Sequence, residues 1–174
     1  MADTKITGLT AKTSPALTDI LPIVEAPGSA PVTKKITVQE MRGGYVIPFS
    51  AATFDPADAT TYYIGCLFSS APRTTGLQAY SLFPRAGVVT AISLSVFINT
   101  LLGSNLTSTI SFRLDDSADT TITSTLNLNS SSRIVATGLS ITVATTDGFE
   151  IKWVTPSWAT NPQGVYISGF VYVS

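Results

Sequence analysis

The sequence predicts an all-β protein, a jelly-roll-like antiparallel β-sandwich preceded by an extended N-terminal arm. Serine and threonine make up roughly a quarter of the 174 residues, whereas charged residues account for only 12%. Threonine, valine, isoleucine and aromatic residues favour strands, and stretches rich in Ala, Leu, Glu and Lys, which favour helices, are missing. From Tyr45 onward, strand-like runs alternate with turn signals at the spacing of a sandwich. We therefore divide the chain into an arm, residues 1–44, and a sandwich domain, residues 45–174.

The arm contains too few large apolar residues to form a core, because segments of this size seldom fold alone without disulfides or metal. Its apolar residues nevertheless recur along its length, so the arm needs a surface to lie on. Pro22 keeps the chain extended, and the APGSAP run at 26–31 is typical of a turn or hairpin tip. Alternating apolar residues predict a strand over 33–38, and one-turn helices are predicted near 14–17 and 38–42.

The sandwich domain contains eight or nine short predicted strands within about 130 residues, a number that suits a jelly roll. Apolar and polar residues alternate most regularly in 92–98 and 110–114, as expected of antiparallel strands with one solvated face. The predicted strands cover residues 45–49, 61–67, 77–83, 88–99, 107–114, 120–126, 133–143, 149–155 and 165–173.

Composition argues against several function classes. The chain has no histidine, which excludes Ser-His and Cys-His nucleophile pairs and His-ligated zinc. Mechanisms that use only carboxylates or lysine remain open, but most of the eleven acidic residues stand in turn-like contexts. We therefore expect no enzymatic activity, no catalytic residues, no cofactor and no bound metal.

The partners expected from charge and hydropathy are also limited. A net charge of −1 argues against nucleic acid, which requires clustered Lys and Arg. No apolar run approaches the ~20 residues that span a bilayer, and the N-terminus lacks a signal-peptide core. The single cysteine, Cys66, is expected to be a buried small hydrophobe. The DDSAD run at 115–119 offers oxygen ligands for Ca²⁺, but it lacks the Gly and Glu of an EF-hand loop, so a hairpin turn is favoured.

Several stretches resemble known proteins. The runs KITGLT at 5–10, DILPIV at 19–24 and TKKITV at 33–38 resemble the N-terminal pattern of many virion structural proteins of tailed bacteriophages. The run DGFEIKWVTPSWATNP at 147–162 resembles a motif that ends β-sandwich modules in the same proteins, and YYIG at 62–65 and FPRAG at 83–87 fit that module. The resemblance implies an arm attached to the particle and an outward-pointing sandwich, often as a trimer.

The short chain, with one arm and one module, favours a capsid decoration (cement) protein or a short head fibre over a long tail fibre. The implied partners are the major capsid protein and two further copies of the chain, on a capsid surface assembled in the bacterial host cytoplasm. The alternative is a tail-fibre or receptor-binding protein that recognises host-surface glycans.

The interpretation as a virion protein with an attachment arm predicts which residues make contacts. The arm's apolar and basic residues are expected to face the capsid, although the apolar ones could instead fold back on the sandwich. These candidates are Ile6, Leu9, Ile20, Ile23, Lys34, Lys35, Ile36 and Val38. Trp158, in a loop rich in Pro and Asn, and Val165 and Ile167, in the long apolar final strand, are candidates for a subunit or ligand contact. Trp153 alternates with Ile151 and is expected in the core.

Overall fold

The structure is a computed structural model that describes residues 16, 19–25, 32–37, 43–66, 71–100 and 106–174. The chain separates into two compact units, Met1–Gly43 and Gly44–Ser174. Within the described residues, no helix is long and apolar enough to span a membrane.

The first unit contains an antiparallel pair of strands, β1 (Ile20–Glu25) and β2 (Val32–Thr37). Before β1, the Ala16 backbone N–H donates to Asp19 Oδ2 at 2.7 Å. The pairing confirms the strand predicted near 33–38 and places 26–31 between two antiparallel strands. The predicted helical turns near 14–17 and 38–42 lie largely outside the described residues.

The second unit is a sandwich of two antiparallel sheets. One sheet has the strand order β3-β11-β6-β9, and the other has the order β4-β10-β7-β8, with the short β5 also paired to β10. The strands are β3 (Tyr45–Phe54), β4 (Thr61–Ile64), β5 (Ser81–Leu82), β6 (Gly87–Thr100), β7 (Thr107–Leu114), β8 (Ala118–Asn127), β9 (Ser132–Val143), β10 (Gly148–Val154) and β11 (Gln163–Val173).

The strand order is that of a jelly roll. If the two-residue β5 is left out and the eight remaining strands are counted from one, the sheets read 1-8-3-6 and 2-7-4-5. The first strand therefore lies beside the last, the second beside the seventh, and so on inward, as in a long hairpin rolled into two layers. This arrangement confirms the predicted fold class.

The core lies between the two sheets and is built from alternate residues of most strands of the second unit, above all β3, β6, β10 and β11. Phe49 from the first sheet and Phe112, Phe149 and Trp153 from the second are fully buried, which confirms the core position predicted for Trp153. The Phe112 and Phe149 rings stack with centroids 5.5 Å apart. Each fully buried side chain of this size contributes roughly 2–3 kcal/mol to folding.

One predicted strand is wrong. Residues 77–83 form a 3-10 turn, Gly76–Gln78, followed by the two-residue strand β5. The apolar residues of this stretch do not keep a period of two, and Leu77 is exposed to solvent while Ala79 is buried. A regular strand would place both of them on the same face.

Candidate interaction surfaces

Five of the eight predicted capsid-binding residues lie in the paired strands of the first unit, namely Ile20, Ile23, Lys34, Lys35 and Ile36. In the register, Ile23 stands opposite Lys34, and Ile36 stands opposite Leu21. The Ile20 side chain is 55% exposed, so an apolar surface is available at the start of β1. Ile6, Leu9 and Val38 lie outside the described residues.

The structure corrects the predicted subunit or ligand contacts. Val165 and Ile167 are fully buried and Trp158 is 5% exposed, so all three side chains are committed to the core of their own domain. Val165 pairs with Ile98 of β6, inside the sandwich. The Trp158 backbone N–H donates to Asp58 Oδ1 at 3.1 Å, which holds its loop against the 55–60 turn. Their buried side chains stabilise the fold and are not exposed to a partner.

On β11, the exposed side chains belong to residues that alternate with Val165 and Ile167. They belong to a larger outward surface of the β3-β11-β6-β9 sheet, which we call the aromatic face. Its large apolar members are Val46, Phe97, Val135, Tyr166, Phe170 and Tyr172, which are between 38% and 64% exposed. The even spacing of Tyr166, Phe170 and Tyr172 places them on one face of β11, but the spacing alone does not indicate whether that face is exposed.

The aromatic face is continuous across the four strands. Tyr166 stands opposite Phe97, and Tyr172 stands opposite Val46. Phe170 stands opposite Ser93, which in turn pairs with Val135. Neighbouring positions on adjacent strands lie only ~5 Å apart, so these side chains form one surface rather than isolated apolar residues.

A groove crosses one end of the aromatic face and has a volume of about 610 Å³. Its residues are mostly hydroxyl-bearing or aromatic, with a single charged side chain at the β9 end. The lining consists of Ser95, Val96, Phe97, Ser131, Ser132, Arg133, Tyr166 and Ser168. The groove combines ring faces for stacking with hydroxyl groups for hydrogen bonding.

The outward face of the other sheet has the opposite character, since it carries a network of charges. Glu150, Arg113 and Asp119 stand side by side on β10, β7 and β8. Arg113 Nη1 lies 3.0 Å from Asp119 Oδ1, and Lys152 Nζ lies 2.5 Å from Asp119 Oδ2. The Arg113 guanidinium also lies 5.8 Å from the centroid of the Tyr63 ring. The charges of this face largely neutralise one another.

Glu150 is the unusual member of this network, because its side chain is fully buried. Arg113 Nε lies 3.3 Å from Glu150 Oε1, yet neither carboxyl oxygen has a well-formed hydrogen bond in the described part of the chain. The 3-10 turn covers it, so that a Cβ added at Gly76 would lie 2.9 Å from Oε1. Burial, and next the neighbouring Asp116, raise the pKa of Glu150 to about 7.

The acidic run at 115–119 contains the hairpin turn between β7 and β8, residues 115–117, as favoured from the sequence. Asp115 and Asp116 have φ angles of +50° and +52°, and the Ser117 backbone N–H donates to the Leu114 carbonyl at 3.1 Å, a type I′ geometry. Asp115 Oδ1 accepts hydrogen bonds from the Tyr80 hydroxyl at 2.6 Å and the Gly148 N–H at 2.9 Å, which lower the pKa of Asp115. In the described ranges, no three acidic or cysteine side chains are arranged to hold a metal ion.

No family model matches the sequence, and no curated protein matches it. Among solved structures, the crystal structure of FLHE is similar over 75% of this chain and 97% of that chain, with 11% identity and a TM-score of 0.43. A chain in the structure of infectious bursal disease virus Gx strain is similar over 95% of this chain, with 14% identity and a TM-score of 0.40. The match spans 39% of the length of that viral chain.

Proposed function

We propose that the protein is a non-enzymatic virion structural protein of a tailed phage that decorates and stabilises the capsid. Its first unit anchors it on the major capsid protein, and its sandwich points outward as a homotrimer. The separation of the chain into two compact units carries this proposal. All described core residues belong to the second unit, so the sandwich is a complete jelly roll without the first 43 residues.

The first unit has the properties of an attachment segment. A two-stranded sheet is marginally stable by itself in water, so the β1-β2 pair gains stability when it lies on another surface. Its strand edges suit pairing with a partner strand, and the exposed Ile20 side chain suits a pocket on that partner. An attached copy that bridges neighbouring capsid subunits adds its binding free energy to the stability of the shell.

A truncated variant tests the attachment. The Gly44–Ser174 variant should unfold cooperatively, because it retains the whole described core, and it should fail to bind particles that lack the protein. Electron microscopy of particles incubated with tagged full-length protein should place the label on the head. Normal occupancy by the truncated variant, or label confined to the tail, would show the proposal to be wrong.

A matched pair of full-length variants separates attachment from general damage. Ile20→Asp places a charge at an exposed position of β1, and Leu82→Asp does the same at an exposed position of the sandwich. We expect Ile20→Asp to reduce occupancy on particles at least several-fold, because an apolar anchor becomes charged. Leu82→Asp should bind as the unmodified protein does.

The second candidate function is a tail component that recognises host-surface glycans, and the groove on the aromatic face favours it. Phe97 and Tyr166 can stack on sugar rings, while Ser95, Ser168 and Arg133 can bind hydroxyl or acidic groups. Saturable binding on a glycan array that is lost in Tyr166→Ala would support this function. Trp158 is unsuitable as a probe because it is buried.

A further inference from the structure

We infer that the aromatic face binds a second copy of this chain and is the subunit contact of the assembled protein. This inference deepens the proposed function and relies on it for the role of the assembly in the virion. The contact itself follows from the area, charge and composition of the face.

The area of the face matches that of a stable interface. Four strands spaced ~4.8 Å apart, with eleven residues in the central strand β11 at ~3.3 Å each, cover roughly 19 Å by 36 Å, or about 700 Å². A standard interface buries about 800 Å² on each partner. The six large apolar side chains of the face are spread over this area with serine side chains between them, and exposed apolar surface of this kind marks an interaction site.

The charge of the face favours a copy of itself over a partner of a different kind. A surface that bears charge of one sign repels its own copy, whereas an uncharged surface does not. At the outward positions of the central strands β11 and β6, the side chains are aromatic, apolar or uncharged polar, and Arg133 of the neighbouring β9 is the charged member of the groove. The ionised groups of the sandwich concentrate on the opposite face, around Arg113.

The composition of the face resembles the centre of an interface. Tyr and Phe provide large contact areas at low cost in side-chain entropy, and aromatic residues dominate binding energy at many interfaces. Tyr166, Phe170 and Tyr172 form a stripe of about 20 Å along β11, at 3.3 Å per residue. Copies that pack around a common axis along this stripe place aromatic rings against aromatic rings, and three copies can do so in the proposed homotrimer.

Sedimentation of the full-length protein tests the contact. The unmodified protein should sediment as an oligomer at micromolar concentration, and Phe170→Glu should raise the dissociation constant roughly 30-fold or more, the factor for one aromatic hot spot.

Val135→Glu on the aromatic face and Val154→Glu on the opposite face form a matched pair of exposed valines in strands. The first should dissociate the oligomer and the second should not. Equal behaviour of the two valine variants, or a monomeric unmodified protein, would overturn the inference.

Hydroxyl-radical footprinting provides a second measurement that does not require a variant to fold. Oxidation of Phe97, Tyr166 and Phe170 should fall as the protein concentration rises, while the exposed Leu77 and Leu82 should stay equally reactive.

Protection that is the same at all concentrations and is lost in the Gly44–Ser174 variant would show that the first unit covers the face instead. Protection that appears only with an added glycan would assign the face to a receptor. Either result overturns the second-copy assignment.

The two proposals fail in different ways. If the protein assembles through the aromatic face but neither the oligomer nor Phe170→Glu binds phage particles, the contact stands and the virion function is wrong. If the unmodified protein binds particles but remains monomeric both free and after release, the capsid-binding role stands, and both the contact and the proposed homotrimer are wrong.

Discussion

At the scale of single residues, the β4-β10-β7-β8 sheet contains one carboxyl group, that of Glu150, that is buried on the outward side of its strand. Glu150 alternates with the buried Phe149 and Ile151 in β10, a position that is ordinarily on the solvated side of a strand. The 3-10 turn at Gly76–Gln78 covers that position instead, through a contact between distant parts of the chain. The sequence around Glu150 could not predict that its side chain is buried, because the burial depends on where the distant 71–80 segment packs.

Burial of Glu150 makes stability depend on pH. Its pKa is raised in the folded state, to about 7 from an ordinary value of 4.5, so the folded protein binds more protons than the unfolded chain between these values. The free energy of unfolding should therefore fall as pH rises from about 4.5 to 7, by at most ~3 kcal/mol. The chain has no histidine to add a slope in this range. The pKa of Asp115 and of Asp119 is lowered, so their contributions are lost only below about pH 4.

Urea unfolding of the unmodified protein and of Glu150→Gln between pH 4.5 and 8 measures this dependence. The glutamine keeps the shape of the side chain and cannot ionise, so the decline between pH 4.5 and 7 should flatten in the variant. Its unfolding free energy at pH 8 should equal or exceed that of the unmodified protein. Parallel pH profiles for the two proteins would show that Glu150 is not the titrating group.

At the scale of elements, β11 shows what alternation in a sequence can and cannot indicate. A period of two separates Val165 and Ile167 from Tyr166 and Phe170, because alternate residues point to opposite faces. Both sets are apolar, so the pattern does not indicate which set faces the core. The second sheet packs against one side of β11, which places the β-branched set in the core and leaves the aromatic set outside.

The inner side of β11 also contains a position that only glycine fits. A Cβ at Gly169 would collide with the Ser93 carbonyl oxygen and the Phe49 ring, which is fully buried. Gly169→Ala should therefore lower the free energy of unfolding by about 1–3 kcal/mol, the usual cost of overpacking a core. Ser168→Ala, on the outward side of the same strand, should stay within about 0.5 kcal/mol. Denaturant midpoints of the two variants measure the difference, and equal midpoints would contradict this account of the close contact.

At the scale of the whole molecule, the jelly roll was predictable, since the number of strands and the turns between them limit an antiparallel chain to few sandwiches. Most strand positions followed from alternation, but the order within the sheets depends on contacts between distant strands such as β3 and β11. The aromatic face was missed for a related reason: apolar residues usually point inward, and an exposed apolar surface is recognisable only once the inner surface is known. The attachment role of all eight arm residues, Ile6, Leu9 and Val38 among them, remains a prediction.

The proposed decoration role makes a prediction for the intact particle. A protein that binds only the assembled shell stabilises it by mass action, by about 2.7 kcal/mol for each site at a free concentration one hundred times the dissociation constant. Particles assembled without the protein should therefore release their DNA at a lower temperature than decorated particles, as measured by a DNA-binding dye during heating. Added full-length protein should restore the higher temperature, and the Gly44–Ser174 variant should not, because it lacks the proposed anchor. Identical release temperatures with and without bound protein would mean that the sandwich is displayed on the shell without stabilising it.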